Sequence, residues 1–239
     1  MIRSKTWPKN TKKNGTIRIF GQNVNGVSYL DNYSEWKIIL ETLHTQQCDV
    51  TCLTEINIDV KNPEVKYALV HQAKMLDKNS HIIMTGSSTK TQNSKSKRDV
   101  MVTMTRGNWS GRIIDSGADK LGRWTYITMT GKNNQKLTIY TLYRVCDQKH
   151  NCSDCTIYLQ QQNDLVKANR VKTEPREAIL MDLTDKIQQN QKQGHDIIVI
   201  GDANEDVYQG KRINEFLQEN NLYNVIKKIN DKEGPAAYD

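Results

Sequence analysis

Residues 196–204 read Asp-Ile-Ile-Val-Ile-Gly-Asp-Ala-Asn, an aliphatic run that ends in one carboxylate, Asp202, and one carboxamide, Asn204. A carboxylate takes a proton from water or holds a cation. A carboxamide steadies an anionic oxygen without adding charge. On an extended chain residues i and i+2 share a face. Three further apolar segments end in polar groups of useful type: 17–22 runs into Asn23-Val24-Asn25-Gly26, 50–53 into Thr54-Glu55, and 137–143 ends in Tyr143, followed by Arg144. In open α/β architectures, sites gather beyond the carboxyl ends of strands. Two carboxylates, several amides and a tyrosine are hard oxygen donors, which suit Mg2+ or Mn2+ better than zinc. Metal and carboxylate together activate water and neutralise charge on a phosphoryl oxygen. Each motif also has a plainer reading. Gly-Asp-x-Asn and Asn25-Gly26 favour turns, Glu55 suits a strand-end surface, and Tyr143 suits a core with its hydroxyl satisfied.

The elements that must position these residues are legible in outline. The short, continuously apolar run before Gly201 predicts a strand buried on both faces. Trp36, Ile39, Leu40 and Leu43 repeat at helical spacing and predict a helix over 33–47, with Ser34 as its N-cap. A second helix is expected over 63–77, through Val65, Ala68, Leu69 and Met75. Strands are expected at 81–84, 100–104, 113–114, 124–129 and 137–143, with a turn at 117–122. Two helices over 157–172 and 176–193 are separated by Pro175, which breaks the pattern. A short helix is expected at 213–219. No internal repeat and no long linker divides the chain. Strands in both βα alternation and a consecutive meander imply α/β architecture, with a mixed sheet or two packed sheets.

The 239 residues carry a net charge of +7, a weak hint of a polyanionic partner such as nucleic acid. No stretch approaches the roughly 18 apolar residues of a membrane span. Residues 1–16 read as a basic, flexible arm without the apolar core of a secretory signal. The loop 87–98, with Lys97 and Arg98 at its end, offers phosphate contacts that position a backbone without reading bases. A charge run is also commonly a solvated face. Five cysteines, an odd number, favour a reducing intracellular compartment, nuclear or cytoplasmic. Cys146, His150, Cys152 and Cys155 are ligand types for a structural zinc, although their spacing matches no common template.

The order Asn23-Val24-Asn25-Gly26, Thr54-Glu55, Leu142-Tyr143, Gly201-Asp202-Ala203-Asn204 resembles the endonuclease/exonuclease/phosphatase superfamily. Its flavour is nearest to the endonuclease domains of non-LTR retroelements. The resemblance covers residues 17–239, taken as one domain after the arm, and implies a four-layer αββα sandwich. It implies Glu55 as principal metal ligand, with Asn25 standing where many relatives have a cation-holding Asp. Asn23 would touch the metal region or the phosphate. Tyr143 would donate to the scissile phosphate or act as a phenolate. Asp202 would orient or deprotonate the attacking water, and Asn204 would steady phosphate oxygens. Arg144, Lys97 and Arg98 would contact substrate.

The family's closing strand and Ser-Asp-His are not found among these residues. None of His44, His71, His81, His150 and His195 follows Ser-Asp. The resemblance therefore implies a sandwich lacking its last strands, with three readings open: a truncated enzyme, one completed by another chain or a reverse transcriptase domain, or an inactive relative. The expected function is Mg2+-dependent hydrolysis of DNA phosphodiester bonds, as in retroelement target nicking. The alternatives are a non-catalytic nucleic-acid-binding or assembly module, and a phosphatase or phosphodiesterase acting on small molecules or lipids.

Overall fold

A computed structural model describes residues 12–28, 31–86, 100–147, 157–206, 208–225 and 228. One sheet has the order β1 (Ile19–Asn23), β2 (Val50–Thr54), β4 (Met101–Thr105), β3 (His81–Thr85). The other has the order β5 (Ile113–Ala118), β6 (Trp124–Thr130), β7 (Lys136–Tyr143), β8 (His195–Asp202). Within each sheet one edge pair is parallel and the rest antiparallel: β1 with β2, and β7 with β8. The two sheets stack face to face through Val50 and Cys52 of β2 and Ile127, Met129 and Ile139 of β6 and β7.

Alternation explains why the central strands are apolar throughout. Leu53 of β2 points to the helices on the outer face, while Val50 and Cys52 point to the other sheet. Outside the first sheet lie α1 (Ser34–Thr45) and α2 (Pro63–Leu76). The stripe Trp36, Ile39, Leu40, Leu43 is buried as its spacing predicts, and the Trp36 indole donates to the Leu69 carbonyl at 3.1 Å. Outside the second sheet, α4 (Pro175–Lys192) and α5 (Lys211–Glu219) bury Ile179, Leu183, Ile187, Ile213 and Phe216. The element α3 (Ile157–Lys167) packs beside α4. The layers are therefore α, β, β, α.

Several local expectations shift. Ser34 is not the cap of α1. Tyr33 occupies that position with a left-handed φ of 61° and no side-chain cap bond, while Glu35 captures the Ser28 amide at 2.7 Å. For α2 the cap is Asn62, which accepts from the amides of Glu64 and Val65. Met75 lies on the exposed face of α2, one step off the stripe of Leu69 and Ala73. The expected turn at 117–122 begins later, because β5 continues through Ala118 against β6. The run before Gly201 is covered on both faces, by helices and by the other sheet. It nonetheless forms the edge strand β8, so its aliphatics are only half-buried. The arm also differs: Lys12 is not solvated but pairs with Asp49 at 2.6 Å.

Burial of titratable groups between and behind the sheets sets an alkaline limit to stability. The Cys52 thiol is pushed up to about 12 by burial, against a smaller opposing effect of the Thr141 hydroxyl. Burial, then the neighbouring Tyr126, pushes the Tyr140 phenol well above its ordinary value. An unfolded chain releases these protons near the ordinary thiol and phenol values, whereas the folded chain retains them. Stability contributed by the neutral groups is thus intact below about pH 8.5 and falls as pH climbs past 9 and 10, by up to about 1.4 kcal/mol per pH unit per group. Melting temperatures at about pH 7 and about pH 10.5 check this. The drop should be shallower in Cys52→Ala, and an unchanged melting temperature at the higher pH contradicts the assignment.

Candidate active site

Parallel pairing explains how four distant segments meet. In β1 and β2, Asn23 is in register with Thr54, so Glu55 follows directly beside it. In β7 and β8, Tyr143 is in register with Asp202. Edge strands β1 and β8 then stack across the sandwich. Gly21 permits the close approach: a Cβ there would lie 2.2 Å from the Ile200 Cγ2. Gly201 is required by its φ of 151° and by the Leu142 carbonyl oxygen, which would sit 1.8 Å from an added Cβ. All four carboxyl ends therefore open on one rim.

A hydrogen bond crosses between the sheets at that rim. Asn23 Nδ2 donates to Asp202 Oδ2 at 2.7 Å. Asn23 Oδ1 in turn accepts from the Asn25 amide at 2.9 Å, and Asp202 Oδ1 accepts from the Asn204 amide at 2.9 Å. Both oxygens of Asp202 are thus aimed by neighbouring groups, with one acceptor lone pair on each left for water. The Tyr143 phenol and the Glu55 carboxylate lie close enough for the carboxylate to act on the phenol's ionisation. Burial first, and then Glu55, drive the Tyr143 phenol far above its ordinary range. Tyr143 is therefore a neutral phenol at physiological pH, which favours the donor among its two expected roles.

Backbone conformation at the rim is unusual. Asn25, Glu55 and Asn204 have φ of 48°, 54° and 46°. Asparagine tolerates this region, but an ordinary L-residue pays roughly 1–2 kcal/mol for it. Glu55 is held there by the loop after β1, whose Val24, Gly26 and Val27 amides donate to the carbonyls of Thr54, Glu55 and Ile56 at 3.1, 2.7 and 2.9 Å. The loop carrying Asn25 and the turn carrying Glu55 are thereby one unit.

Charge at the rim fits a cation. Glu55 and Asp202 both act on Tyr143 and on Cys146, yet neither carboxylate has an ion pair among the described residues. No group of three or more His, Cys, Asp or Glu side chains is arranged around a common point among the described residues. A cation here would rely on Glu55, amide oxygens and water. Magnesium, which keeps several of its waters, suits that donor set.

Of the residues expected to act, Asn23, Asn25, Glu55, Tyr143, Asp202 and Asn204 meet at this rim. Arg144 does not face outward. Its guanidinium is 1% exposed and bonds Glu205 and the carbonyl of Arg176, 3.0 Å from Nε. Lys97 and Arg98 lie outside the described residues, as do His150, Cys152 and Cys155 of the zinc reading. Cys146 is exposed, and its thiol donates to Asn204 Oδ1 at 3.1 Å. His195 opens β8 and so stands about 23 Å along the strand from Asp202, seven steps of 3.3 Å. Sequence reasoning missed Arg176 and Glu205. The only available signal was the adjacency of Glu205 to Asn204.

No model of a known protein family matches the sequence, and no curated protein matches it. Solved structures do. The catalytic domain of human Nocturnin, with bound sulfate, superposes with a TM-score of 0.51 at 16% identity over 92% of this chain and 76% of its own. The mannosyl-6-phosphatase Bt3783 of Bacteroides thetaiotaomicron gives 0.51 at 11% identity over 85% and 71%. A beta toxin of Staphylococcus aureus, a mutant with bound magnesium ions, gives 0.50 at 11% identity over 86% and 70%.

Proposed function

We propose that this chain, whose fold is that of the endonuclease/exonuclease/phosphatase superfamily, is a divalent-metal-dependent hydrolase of phosphodiester bonds in DNA. The observation that carries the reading is the Asn23–Asp202 hydrogen bond between the two sheets, which sets Asp202 and Glu55 on one rim with no ion pair to either among the described residues. Glu55, with the carboxamide of Asn25 beside it, would hold Mg2+ or Mn2+. The bound ion would supply charge neutralisation at a phosphoryl oxygen.

The remaining steps belong to the chain itself. Asp202, aimed by Asn23 and Asn204, orients a water and accepts its proton. The neutral Tyr143 phenol, beside the Glu55 carboxylate, is a hydrogen-bond donor. Asn204 is already engaged: its Nδ2 donates to the Arg144 carbonyl at 2.7 Å, so in this state it holds the turn. Nicking of retroelement target DNA beside a reverse transcriptase domain is the proposed context, in a reducing compartment that keeps the free thiols Cys48, Cys52 and Cys146 reduced. The positive balance of the chain favours a polyanion over a small substrate.

Supercoiled plasmid, single-stranded DNA and a sugar phosphate, each incubated with magnesium, manganese or EDTA, test the reading. Metal-dependent nicking abolished by EDTA is the expected result. Phosphate release from the sugar phosphate without nicking transfers the site to a phosphatase, as the likeness to the mannosyl-6-phosphatase would suggest. Salt-sensitive DNA binding with no cleavage under any metal leaves a binding module and sinks the hydrolase.

A further inference from the structure

Behind the rim, two buried guanidiniums converge on one carboxylate. Arg144 is 1% exposed and Arg176, at the start of α4, is 9% exposed. Arg144 Nη1 bonds Glu205 Oε2, and Arg176 Nη2 lies 3.8 Å from the same oxygen. The fork of Arg176 also ties together the two loops that carry site residues. Its Nη1 donates to the Val145 carbonyl at 2.5 Å and its Nη2 to the Asn204 carbonyl at 3.0 Å. Arg144 returns the hold through its backbone, its amide donating to the Asp202 carbonyl at 2.8 Å. Glu205 further accepts from the Arg212 amide at 3.0 Å, which anchors the first turn of α5 to the same cluster.

The consequence falls on Asn204. It sits at a φ of 46° with its amide, its carbonyl and both ends of its carboxamide engaged, by Asp202, Arg176, Arg144 and Cys146. Its own amide is one of the two groups that aim the Asp202 carboxylate. Buried charges are costly unless paired and hydrogen-bonded, so displacing one member of such a cluster leaves the others' charges uncompensated.

We propose that Arg176, with Arg144 and Glu205, is a positioning residue for Asp202, acting through Asn204. The proposal rests on the hydrolytic reading for its kinetic consequence but not for its geometry. Bidentate geometry is the point: the Arg176 fork reaches two carbonyls on different loops, and a lysine ammonium has no such fork.

Arg176→Lys keeps the charge and removes the fork. Its kcat is expected to fall about ten- to a hundredfold, with KM within about twofold. Asp202→Asn removes the carboxylate that Arg176 is proposed to position, and in that background Arg176→Lys should cost little further. A second readout needs no turnover. The tryptic peptide 145–149 carries Cys146 and no other cysteine, so mass spectrometry of that peptide measures its alkylation by iodoacetamide. Because lysine preserves the positive charge near the thiol, a severalfold faster alkylation in Arg176→Lys reports release of Asn204; in Asn204→Gly, which already lacks the thiol's acceptor, Arg176→Lys should accelerate alkylation no further. Wild-type alkylation and kcat in Arg176→Lys overturn the proposal, as does an equal kcat loss in both backgrounds. A wild-type chain inactive on every phosphoester, with alkylation still accelerated, overturns the hydrolytic reading alone. Should Arg176→Lys fail to fold, Glu205→Gln is measured in the same way. It removes the carboxylate on which the two guanidiniums converge and so loosens the hold on the Arg176 fork, and unchanged kcat and alkylation there also count against the proposal.

Discussion

Glu55→Gln is expected to lower magnesium-dependent DNA hydrolysis by at least about a hundredfold while leaving the fold intact. Glutamine has nearly the same shape, and its amide oxygen can accept wherever a carboxylate oxygen did, so no acceptor is lost from the buried Tyr143 beside it. The backbone strain at φ 54° is the same in both residues. What disappears is a carboxylate charge proposed to neutralise a divalent ion, and loss of a single preorganised electrostatic group commonly costs about 10²–10³ in rate. Initial rates over a magnesium titration, together with a thermal melt, check it. The metal requirement should rise and the melt should move little. Unchanged rate and unchanged metal dependence would remove Glu55 from the chemistry.

Asp202→Asn should cost about 10²–10⁴ in kcat, because an amide cannot take the proton from water. It also offers one acceptor where two donors, Asn23 Nδ2 and the Asn204 amide, now each find an oxygen. Asn23→Ala alone should cost less, about tenfold, since its side chain works by aiming Asp202. In the Asp202→Asn background Asn23→Ala should therefore have little left to remove. A double-mutant cycle measures this coupling. Additive losses would show that Asn23 acts on the phosphate directly, independent of the inter-sheet bond.

The expected outcomes share a physical origin in the rim where β1, β2, β7 and β8 end. A site made of groups from four strands works only while all four are held together. Its reactivity depends on how rigidly the sandwich holds the two sheets against each other. The glycines at 21 and 201 are therefore as much part of the site as the carboxylates: any side chain at either would separate the strands that bring Asn23 and Asp202 together. The burial of Tyr143 matters comparably, since it holds the phenol neutral beside Glu55.

Element type followed from periodicity wherever a face was strongly patterned. The stripe of α1 and the aliphatic runs of β2 and β8 formed as expected, because the burial of apolar surface dominates local choice. The cap of α1 did not follow. Ser34 has the chemistry of a cap, but Glu35 satisfied a neighbouring amide and Tyr33 took the position. Arg144 shows the limit at the site. A cation next to Tyr143 suggests a phosphate contact, yet Arg144 and Tyr143 are adjacent on an extended chain and so point to opposite faces. The residue beside the site residue thus belongs behind it, with Glu205.

From the residues alone came the types of group, their order and the strand ends on which they stand, because side-chain chemistry and apolar periodicity are local properties. Only the tertiary structure decided that β1 runs parallel to β2, and β7 to β8, so that all four ends face one way. The same is true of the stacking of β1 on β8 and of the inward turn of Arg144 and Arg176. Those outcomes depend on contacts between residues far apart in the chain, such as Asn23 and Asp202, whose pairing no local pattern encodes.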